Sequence, residues 1–485
     1  MAATNGIESM ENGTNENSKL IPLEPIDQWR PIDNIRTIIF IIIRQILDED
    51  AMRDALDRLI RDYLPIIGAR IEIVSKDGDL AYRVPSSFPA DYKLFQWSRQ
   101  IVDSSFAAAE VLPGTSLADS DIFHGPCSIP ELENKWTPLT WPRERHSEDP
   151  DLPLLLVHIT KYTDATIVSM NLPHAVSDQM GIGSLITAWT QVMKGETPAE
   201  FLKLEPGALD GLRNLSEKEL RKKRTFRITT KLERARAILS FLPDLILNPK
   251  EIRQTLFLPI SLIEELRDRH TQDLKNRYGD KAVVLTSGDI VTSLLTKFAY
   301  IGRKTSRNVT ITTVINGRGR CPAVPADKPY LHNCTCYAVV HTPNPDKVSL
   351  AELAYRHRLG VLEGLKSENI ERSLAITKEL WKRKYKIHIV EPGDLSYACT
   401  NWCGAWRNID FRPTIASKEG TAANGGSTAP PLIFGHSLQR TYPTRYNTQI
   451  MCKGDGGFWC DFTISTKTHP LLERLLKSDP RLCNF

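Results

Sequence analysis

The chain has 485 residues, of which 41% are hydrophobic and 25% are charged. This is the mixture of an ordinary globular protein, and it excludes the disordered, collagen-like and coiled-coil classes for the bulk of the chain. Lysine and arginine number 62 against 58 aspartates and glutamates, so the formal net charge is only +4. Proteins that coat nucleic acid carry a larger or more localised basic excess, and we therefore expect no nucleic-acid partner.

The apolar segments are too short to cross a membrane. The most apolar run, residues 37–43, has the length of a strand, whereas a membrane-spanning helix needs about 20 apolar residues. Residues 1–19 lack the basic start and apolar stretch of a secretory signal, and they predict a disordered tail. The nine cysteines are an odd number, which favours free thiols and a cytoplasmic protein without a membrane partner.

The first elements along the chain are predicted to be a buried strand, a helix and a strand pair. Residues 35–44 are almost all apolar, and residues 51–63 place their apolar side chains on one helical face. Two strand candidates follow at 70–74 and 80–84, with a turn signal at 76–78 between them.

The middle of the chain alternates between loop, hairpin and helix patterns. Residues 113–142 are rich in Pro, Gly and Ser and predict a loop. Residues 154–162 and 165–172 predict a β-hairpin. Apolar residues then recur at helical spacing from 182 to 193, and Gly195 is the expected end of that helix.

The basic stretch 217–236 predicts a crossing segment between two halves of the chain. Its charges either bind phosphate or simply make a solvated helix or linker. The remaining predicted elements are a helix at 286–301, strands at 309–315 and 333–341, a long helical stretch at 349–386 and a terminal helix at 470–477. Such a mixture of helices and strands predicts an α/β protein with large sheets.

The candidate chemistry lies in the segment Asn171–Asp178, which reads NLPHAVSD. Side chains alternate along a strand, so Leu172 and His174 share a face and His174 ends a buried apolar row. Burial disfavours the charged imidazole, and a neutral imidazole is what a general base requires. Asp178 is placed to shape the following turn and to bind a cation. Taken alone, a histidine followed four residues later by an aspartate is more typical of a histidine that is buried and hydrogen-bonded in the protein core.

These residues resemble the signature of the BAHD acyltransferases, and most closely of their fungal secondary-metabolism branch, which includes trichothecene and fumigaclavine acetyltransferase-like enzymes. The family signature is His-x-x-x-Asp after a strand, usually followed by Gly, and here Gln179 takes the Gly place. Residues 22–29 (PLEPIDQW), 316–320 (NGRGR) and Tyr330–Asn333 also look like counterparts of family segments. The resemblance spans the chain from about residue 20 onward.

The second family signature, Asp-Phe-Gly-Trp-Gly, is only partly present. Thr400-Asn401-Trp402 matches the stretch that precedes it, and Asp410 and Phe411 match its first two residues, but the chain continues with Arg-Pro-Thr. This departure concerns the loop after Phe411 and any CoA contact there. The resemblance gives Asp410 a supporting place in the catalytic set.

The resemblance implies an α/β fold of two domains like that of chloramphenicol acetyltransferase, with mixed sheets, flanking helices and a solvent channel between the domains. We expect the tail at 1–19, an N-terminal domain at 20–215, a linker at 216–240 and a C-terminal domain at 241–485. A monomer without a metal or a bound cofactor is expected. Acyl-CoA is the implied co-substrate, entering the channel from one side while the acceptor enters from the other.

The resemblance also implies roles for the residues that would surround the reacting atoms. His174 would be the general base, and the Thr400 hydroxyl and the Trp402 indole are the candidate oxyanion donors. For Trp402, packing alone is the alternative.

Asp178 is expected to act by holding the turn that aims His174. Its expected partner is Arg318, with Arg320 as the second choice, and the alternative is that both arginines face water.

The candidate CoA contacts are the least specific part of the prediction. They comprise the basic cluster Arg221–Arg224, the start of the helix at Ser287 and Asp289, and Asn401.

The expected reaction is O-acylation, with acetyl as the favoured group, of an alcohol of the terpenoid, alkaloid or polyketide type; an amine acceptor stays open. One alternative is a condensation-type domain that takes its acyl group from a carrier protein. Such domains normally have a His-His pair, whereas Pro173 precedes His174 here. The other alternative is a non-catalytic small-molecule-binding relative, which the absent Gly-Trp-Gly would fit.

Overall fold

The computed structural model describes residues 18–109, 112, 117, 121–212, 215–385, 391–415, 430–437 and 445–485. The predicted tail lies outside these residues except for Ser18 and Lys19. The described chain is a mixed α/β protein whose strands form sheets of three, five and seven strands.

The strands of the described ranges, in chain order, are Ser18–Pro22 (β1), Arg36–Ile43 (β2), Arg70–Ile73 (β3), Leu80–Pro85 (β4), Gln96–Ile101 (β5), Phe123–His124 (β6), Leu156–Lys161 (β7), Thr166–Pro173 (β8), Glu251–Pro259 (β9), Val309–Asn316 (β10), Thr335–Thr342 (β11), Leu395–Asn401 (β12), Leu432–Ser437 (β13), Asn447–Gly454 (β14) and Gly457–Ser465 (β15). The α-helices of the same ranges are Pro25–Gln28 (α1), Glu49–Arg58 (α2), Ile129–Trp136 (α3), Gln179–Met193 (α4), Glu217–Leu220 (α5), Lys231–Leu247 (α6), Ile260–Tyr278 (α7), Ser287–Tyr300 (α8), Leu350–Gly364 (α9), Ser367–Lys382 (α10) and His469–Ser478 (α11).

The five-stranded sheet has the order β13-β2-β8-β7-β5. Every residue of β2 and β8 is buried, which explains why most residues of both strands are apolar. The two strands are antiparallel, with Arg36 opposite Pro173. The end of β8, where the candidate chemistry begins, therefore lies beside the start of β2.

The seven-stranded sheet has the order β11-β10-β12-β14-β15-β9-β6. Apolar residues of α7, α8 and α9 form one core with this sheet. Side chains of its other face, among them Phe257 and Trp459, belong to the same core as Phe40 and Phe434 of the five-stranded sheet. The two large sheets are therefore joined by a continuous apolar core.

Each half of the chain contributes one strand to the large sheet that is formed mostly by the other half. Strand β13 pairs with β2, with Phe434 opposite Phe40, and β6 pairs with β9, with Phe123 opposite Phe257. Each of the two large sheets therefore contains strands from both sides of the predicted linker at 216–240.

The crossing segment 217–236 is only partly exposed. Residues 221–224 are exposed, but residues 226–229 are buried, and the Arg227 guanidinium pairs with both Glu233 and Glu391. Buried charge of this kind is stable only when it is paired. The crossing segment is thus anchored at its centre, and residues on both sides of this anchor are exposed.

Two other expectations were wrong in detail. The predicted loop at 113–142 contains α3, because Ser128 and Glu131 form a reciprocal capping box that starts a helix in a Pro-rich stretch. The long helical stretch at 349–386 is two helices, because Lys366 adopts an extended backbone conformation between them; residues 386–390 lie outside the described residues.

None of the helices in the described ranges is both long and apolar enough to span a bilayer. All nine cysteines lie in those ranges, and each is a free thiol.

Candidate active site

His174 lies one residue beyond β8 and continues the ladder with β2, because its backbone N–H donates to the Ile35 carbonyl at 2.8 Å. Its carbonyl accepts a hydrogen bond from the Asn333 amide at 2.8 Å. Both backbone groups of His174 are thereby fixed. The residue is 8% exposed, so the sheet holds the imidazole close to the protein interior.

The His174 imidazole is neutral near pH 7. Burial lowers its pKa, and its own backbone oxygen, the Asp178 charge and the Asn333 amide only partly offset that effect. Its Nδ1 atom is buried without a hydrogen-bond partner of regular geometry. The ring is therefore held in the protonation state that can accept a proton.

Asp178 is saturated with hydrogen bonds and does not contact His174. Its carboxylate caps α4 through the Gly181 N–H at 2.9 Å, accepts from the Cys334 N–H at 2.9 Å, and binds both terminal nitrogens of Arg318 at 2.9 Å. Burial raises the pKa of this carboxyl, but the Arg318 guanidinium and the backbone donors outweigh burial and hold the pKa below its usual value. Asp178 thus joins α4 to the chain around 318 and 334.

The turn between His174 and α4 is pressed against the segment 330–334. A Cβ atom on Gly181 would lie 1.8 Å from the Leu331 carbonyl oxygen, a distance that no side chain tolerates. The Ser177 hydroxyl donates to the same oxygen at 2.6 Å. Glycine at 181 therefore lets the second half of the chain approach the turn that carries His174.

Asn333 and Asp27 support the backbone of His174, and neither was predicted from the sequence to belong to the site. The Asn333 amide donates both to the His174 carbonyl and to Asp27 Oδ1, at 2.8 Å and 2.7 Å. Burial raises the pKa of Asp27 to about 8. The two residues lie within segments that resemble the family, but their contact joins positions 306 residues apart and leaves no local sequence signal.

His332 is a second histidine near the turn. Its Nδ1 lies 3.0 Å from the Val176 carbonyl and 3.3 Å from the Tyr82 hydroxyl. Burial lowers the pKa of His332 to about 4, so the ring is neutral and Nδ1 donates to the carbonyl. This histidine holds the turn.

The predicted oxyanion donors lie at the end of β12. Trp402 is 2% exposed, its backbone N–H donates to the Ile450 carbonyl, and its indole Nε1–H is buried without a hydrogen-bond partner. Thr400 is half-buried. The loop after Trp402 packs on α4, since a Cβ on Gly183 would lie 2.1 Å from the Ala405 oxygen. The fold therefore brings the end of β12 to the helix that begins at Asp178.

The predicted CoA contacts divide into two groups. Ser287 is half-buried at the start of α8, and Asn401 is exposed. The two positions are close together, because the Asn401 side-chain nitrogen would lie 3.5 Å from a Cβ atom on Gly288, the residue after Ser287. Asp289 is not available, because it is buried, caps α8 through Thr286, and pairs with His357 at 2.9 Å. The capping role explains why an acidic residue stands in this first turn.

Asp410 lies away from His174. Its carboxylate pairs with Arg412 at 2.8 Å and with Lys194 at 3.1 Å. Lys194 is at the C-terminal end of α4, and this helix of 15 residues is about 22 Å long. Asp410 therefore lies at the C-terminal end of α4, whereas Asp178 caps the N-terminal end of the same helix. Its contacts with Arg412 and Lys194 are structural.

Gln179, the residue in the family's glycine place, begins a polar chain on the His174 side of the sheet. Its amide donates to the Ser437 hydroxyl at 2.6 Å, which in turn lies 2.8 Å from the Thr37 hydroxyl. Thr37 is directly opposite Leu172 in the ladder, and Leu172 shares its face with His174. This chain supplies polar groups beside the base.

The cationic cluster Arg221–Arg224 is exposed, and Arg221 pairs with Glu217 at 2.8 Å. A cavity of about 360 Å³ lies elsewhere, along α4, and its lining includes Met180, Thr187, Arg318, Lys328 and Arg407 but not His174. Its size is that of a small-molecule site. It adjoins the Asp178–Arg318 pair and not the base itself.

The comparisons with known proteins agree with this geometry. Residues 137–355 match the Transferase family. The chain is 23% identical to acetyltransferase adrJ of Penicillium rubens, over 85% of this chain and 86% of that one. It is 26% identical to O-acetyltransferase PaAT-2 of Phomopsis amygdali, over 91% and 94%. A third relative, from Penicillium decumbens, is named transcriptional regulator calD and is 20% identical over 95% and 96%.

Solved structures show the same fold. TRI101 of F. sporotrichioides, in complex with coenzyme A and T-2, superposes with a TM-score of 0.65 at 15% identity, over 94% of this chain and 97% of that one. Vinorine synthase superposes with a TM-score of 0.60 at 13% identity, over 96% and 94%. The two-domain fold predicted from the resemblance is thus confirmed. The family match and the acetyltransferase relatives support an acyltransferase enzyme that is similar to those of the BAHD type.

Proposed function

We propose that the protein transfers an acyl group from acyl-CoA to a hydroxyl group of a secondary metabolite, with His174 as the general base. The observation that carries the proposal is a buried, neutral imidazole at the end of β8, on a residue whose backbone N–H and carbonyl are both hydrogen-bonded. Nδ1 of this ring is buried away from solvent. Nε2 is then the atom that takes the proton of the acceptor hydroxyl.

The acceptor oxygen attacks the thioester carbonyl as Nε2 removes its proton, and a tetrahedral oxyanion forms. The Trp402 indole N–H has no partner within the described protein, and with the Thr400 hydroxyl it supplies donors for that oxygen. One such donor is worth about 3 kcal/mol in the transition state. Collapse of the intermediate breaks the carbon–sulfur bond, and the imidazolium protonates the CoA thiolate.

In this mechanism Asp178 and Arg318 position the base without touching the substrate. Their bidentate pair fixes the start of α4 and the loop around 334, and Asn333 in that loop holds the His174 carbonyl. The backbone of His174 is therefore located from both halves of the chain.

The substrates are inferred from chemistry and from the relatives. CoA carries phosphates, and the N-terminal end of α8, beside Ser287 and Asn401, suits an anionic group as helix N-termini do. Acetyl is the proposed acyl group because the relatives adrJ and PaAT-2 are named acetyltransferases. The polar chain from Gln179 suits an acceptor with several oxygen atoms.

The test is acetyl transfer by His174→Ala. We expect the rate of CoA thiol release, with a panel of hydroxylated terpenoids, alkaloids and polyketides as acceptors, to fall at least about 100-fold, since a general base is worth about 10²–10⁴-fold. The product should carry one acetyl group by mass. His146→Ala, at a half-exposed histidine, is the matched control and should keep the wild-type rate.

The same assay separates the alternatives. A condensation-type domain would accept the acyl group from a carrier-protein thioester and not from acetyl-CoA. A non-catalytic relative would bind acceptors without thiol release. Turnover of His174→Ala close to wild type would remove the proposed base.

A further inference from the structure

Three side chains at the edge of the seven-stranded sheet have the composition of a metal site. His124 ends β6, and His469 and Glu473 lie in the first turns of α11. One potential ligand atom of each lies within 4.8 Å of those of the other two. The two histidine ring centroids are 5.2 Å apart.

The local structure accounts for this convergence. Residues four apart on a helix share a face, so His469 and Glu473 point the same way. In the edge ladder His124 stands opposite Leu256, and Leu256 shares a core with Leu472 of α11. The helix therefore packs against the sheet face on which His124 lies.

One of the two histidines has a ring nitrogen that is available to a metal ion. His469 Nε2 is buried and has no hydrogen-bond partner in the described protein, and a buried polar atom without a partner is destabilising.

We propose that His124, His469 and Glu473 bind a divalent transition-metal ion, with Zn²⁺ as the preferred occupant. Two imidazoles and one carboxylate leave a fourth tetrahedral position for water. Bonds of about 2.1 Å would bring the ligand atoms to about 3.4 Å from one another, and rotation of the exposed Glu473 side chain supplies part of that movement. This nitrogen-rich set favours Zn²⁺, Ni²⁺ or Cu²⁺ over Mg²⁺ and Ca²⁺, which prefer oxygen ligands.

The ion would link the edge strand β6 to the C-terminal helix α11. Strand β6 has only two residues and pairs with β9 alone, so few ladder hydrogen bonds hold it. Four strand spacings separate β6 from β12, the strand of Thr400, so the two strands lie about 19 Å apart across the sheet. The role of the ion is therefore to stabilise the sheet edge and not to act on the substrates.

The experiment is a Zn²⁺ titration of the chelator-treated, untagged protein, followed by calorimetry and by thermal unfolding. We expect one Zn²⁺ per chain and a rise in Tm of about 2–3 °C at a hundredfold excess over Kd. Mg²⁺ should give no shift. His469→Gln and Glu473→Gln should each weaken Zn²⁺ binding at least tenfold, with each Tm shift measured against the metal-free form of the same variant.

Two controls exclude adventitious binding. His146→Gln removes a half-exposed histidine outside this set, and Cys483→Ser removes the exposed thiol; both should keep the wild-type stoichiometry and affinity. Loss of the Zn²⁺ effect in Cys483→Ser, or an unchanged affinity in His469→Gln and Glu473→Gln, would overturn the proposal.

Discussion

At the scale of single residues, Asp178 is distinguished by how many groups depend on it. Asp178→Asn should slow acetyl transfer and also lower stability by about 3–5 kcal/mol, because Arg318 would be left buried without its counter-charge. Thermal unfolding and turnover of the same preparation measure both effects. Asp410→Asn, at the far end of α4, should lower turnover little. A slower Asp178→Asn enzyme of unchanged stability would instead assign Asp178 a direct part in the chemistry.

Asp27 gives the protein a pH-dependent stability. Its pKa is raised to about 8 in the folded state because it is buried, whereas in the unfolded chain it is about 3.9. The stabilisation that comes from the protonated carboxyl is complete below pH 3.9, and it is lost as the pH rises towards 8. Asp27→Asn retains the acceptor for Asn333 and cannot ionise, so its stability should fall less over this range, by up to about 1.4 kcal/mol per pH unit.

Chemical denaturation at pH 5, 6, 7 and 8 measures this difference in slope. Asp410→Asn is the control, because Arg412 and Lys194 hold the pKa of Asp410 below its usual value and the group stays ionised throughout. Equal slopes for the wild type and Asp27→Asn would show that Asp27 is already ionised in the folded protein.

At the scale of elements, the active site depends on the close approach of α4 to the segment 330–334. Gly181→Ala should destabilise the protein by about 1–3 kcal/mol, as other overpacked sites do, because the new methyl group would collide with the Leu331 carbonyl. Turnover should fall with it, since relief of the collision moves the turn that carries His174. Gly404→Ala is the matched control, because the nearest atom to its methyl group would be Met180 Sδ at 3.9 Å. Equal stability of the two variants would contradict this account.

The elements that could be predicted from the sequence are those whose signals are local. The apolar run of β8 and the helical spacing of α4 placed His174 and Asp178 correctly at a strand end and a helix start. Asp178 and Arg318 could be paired only through a resemblance to known proteins, because 140 residues separate them. The contact between Asn333 and Asp27 has no signal within either segment. Helix α3 was missed because the Pro-rich composition outweighed its short capping box.

At the scale of the whole molecule, the exchanged strands should hold the two halves together even when the chain is cut. A site for a sequence-specific protease inserted between Lys222 and Lys223 would lie in the exposed part of the crossing segment. After cleavage, we expect the fragments to elute together in gel filtration and to separate only in denaturant. Separation would break the β13–β2 and β6–β9 ladders and expose the core shared by the two sheets.

The exchange can be tested at β13 alone. In the cleaved protein, Gly435→Ala should weaken the association, because a Cβ at this position would lie 2.2 Å from the Ile38 carbonyl oxygen and so push β13 away from β2. Gly404→Ala in the same cleaved background should leave the elution unchanged. Association is best read as the protein concentration at which half of the fragments separate, which should rise at least tenfold for Gly435→Ala. If the cleaved wild-type fragments separate in native buffer, the exchanged strands do not hold the halves together, and the site between them depends on an unbroken chain.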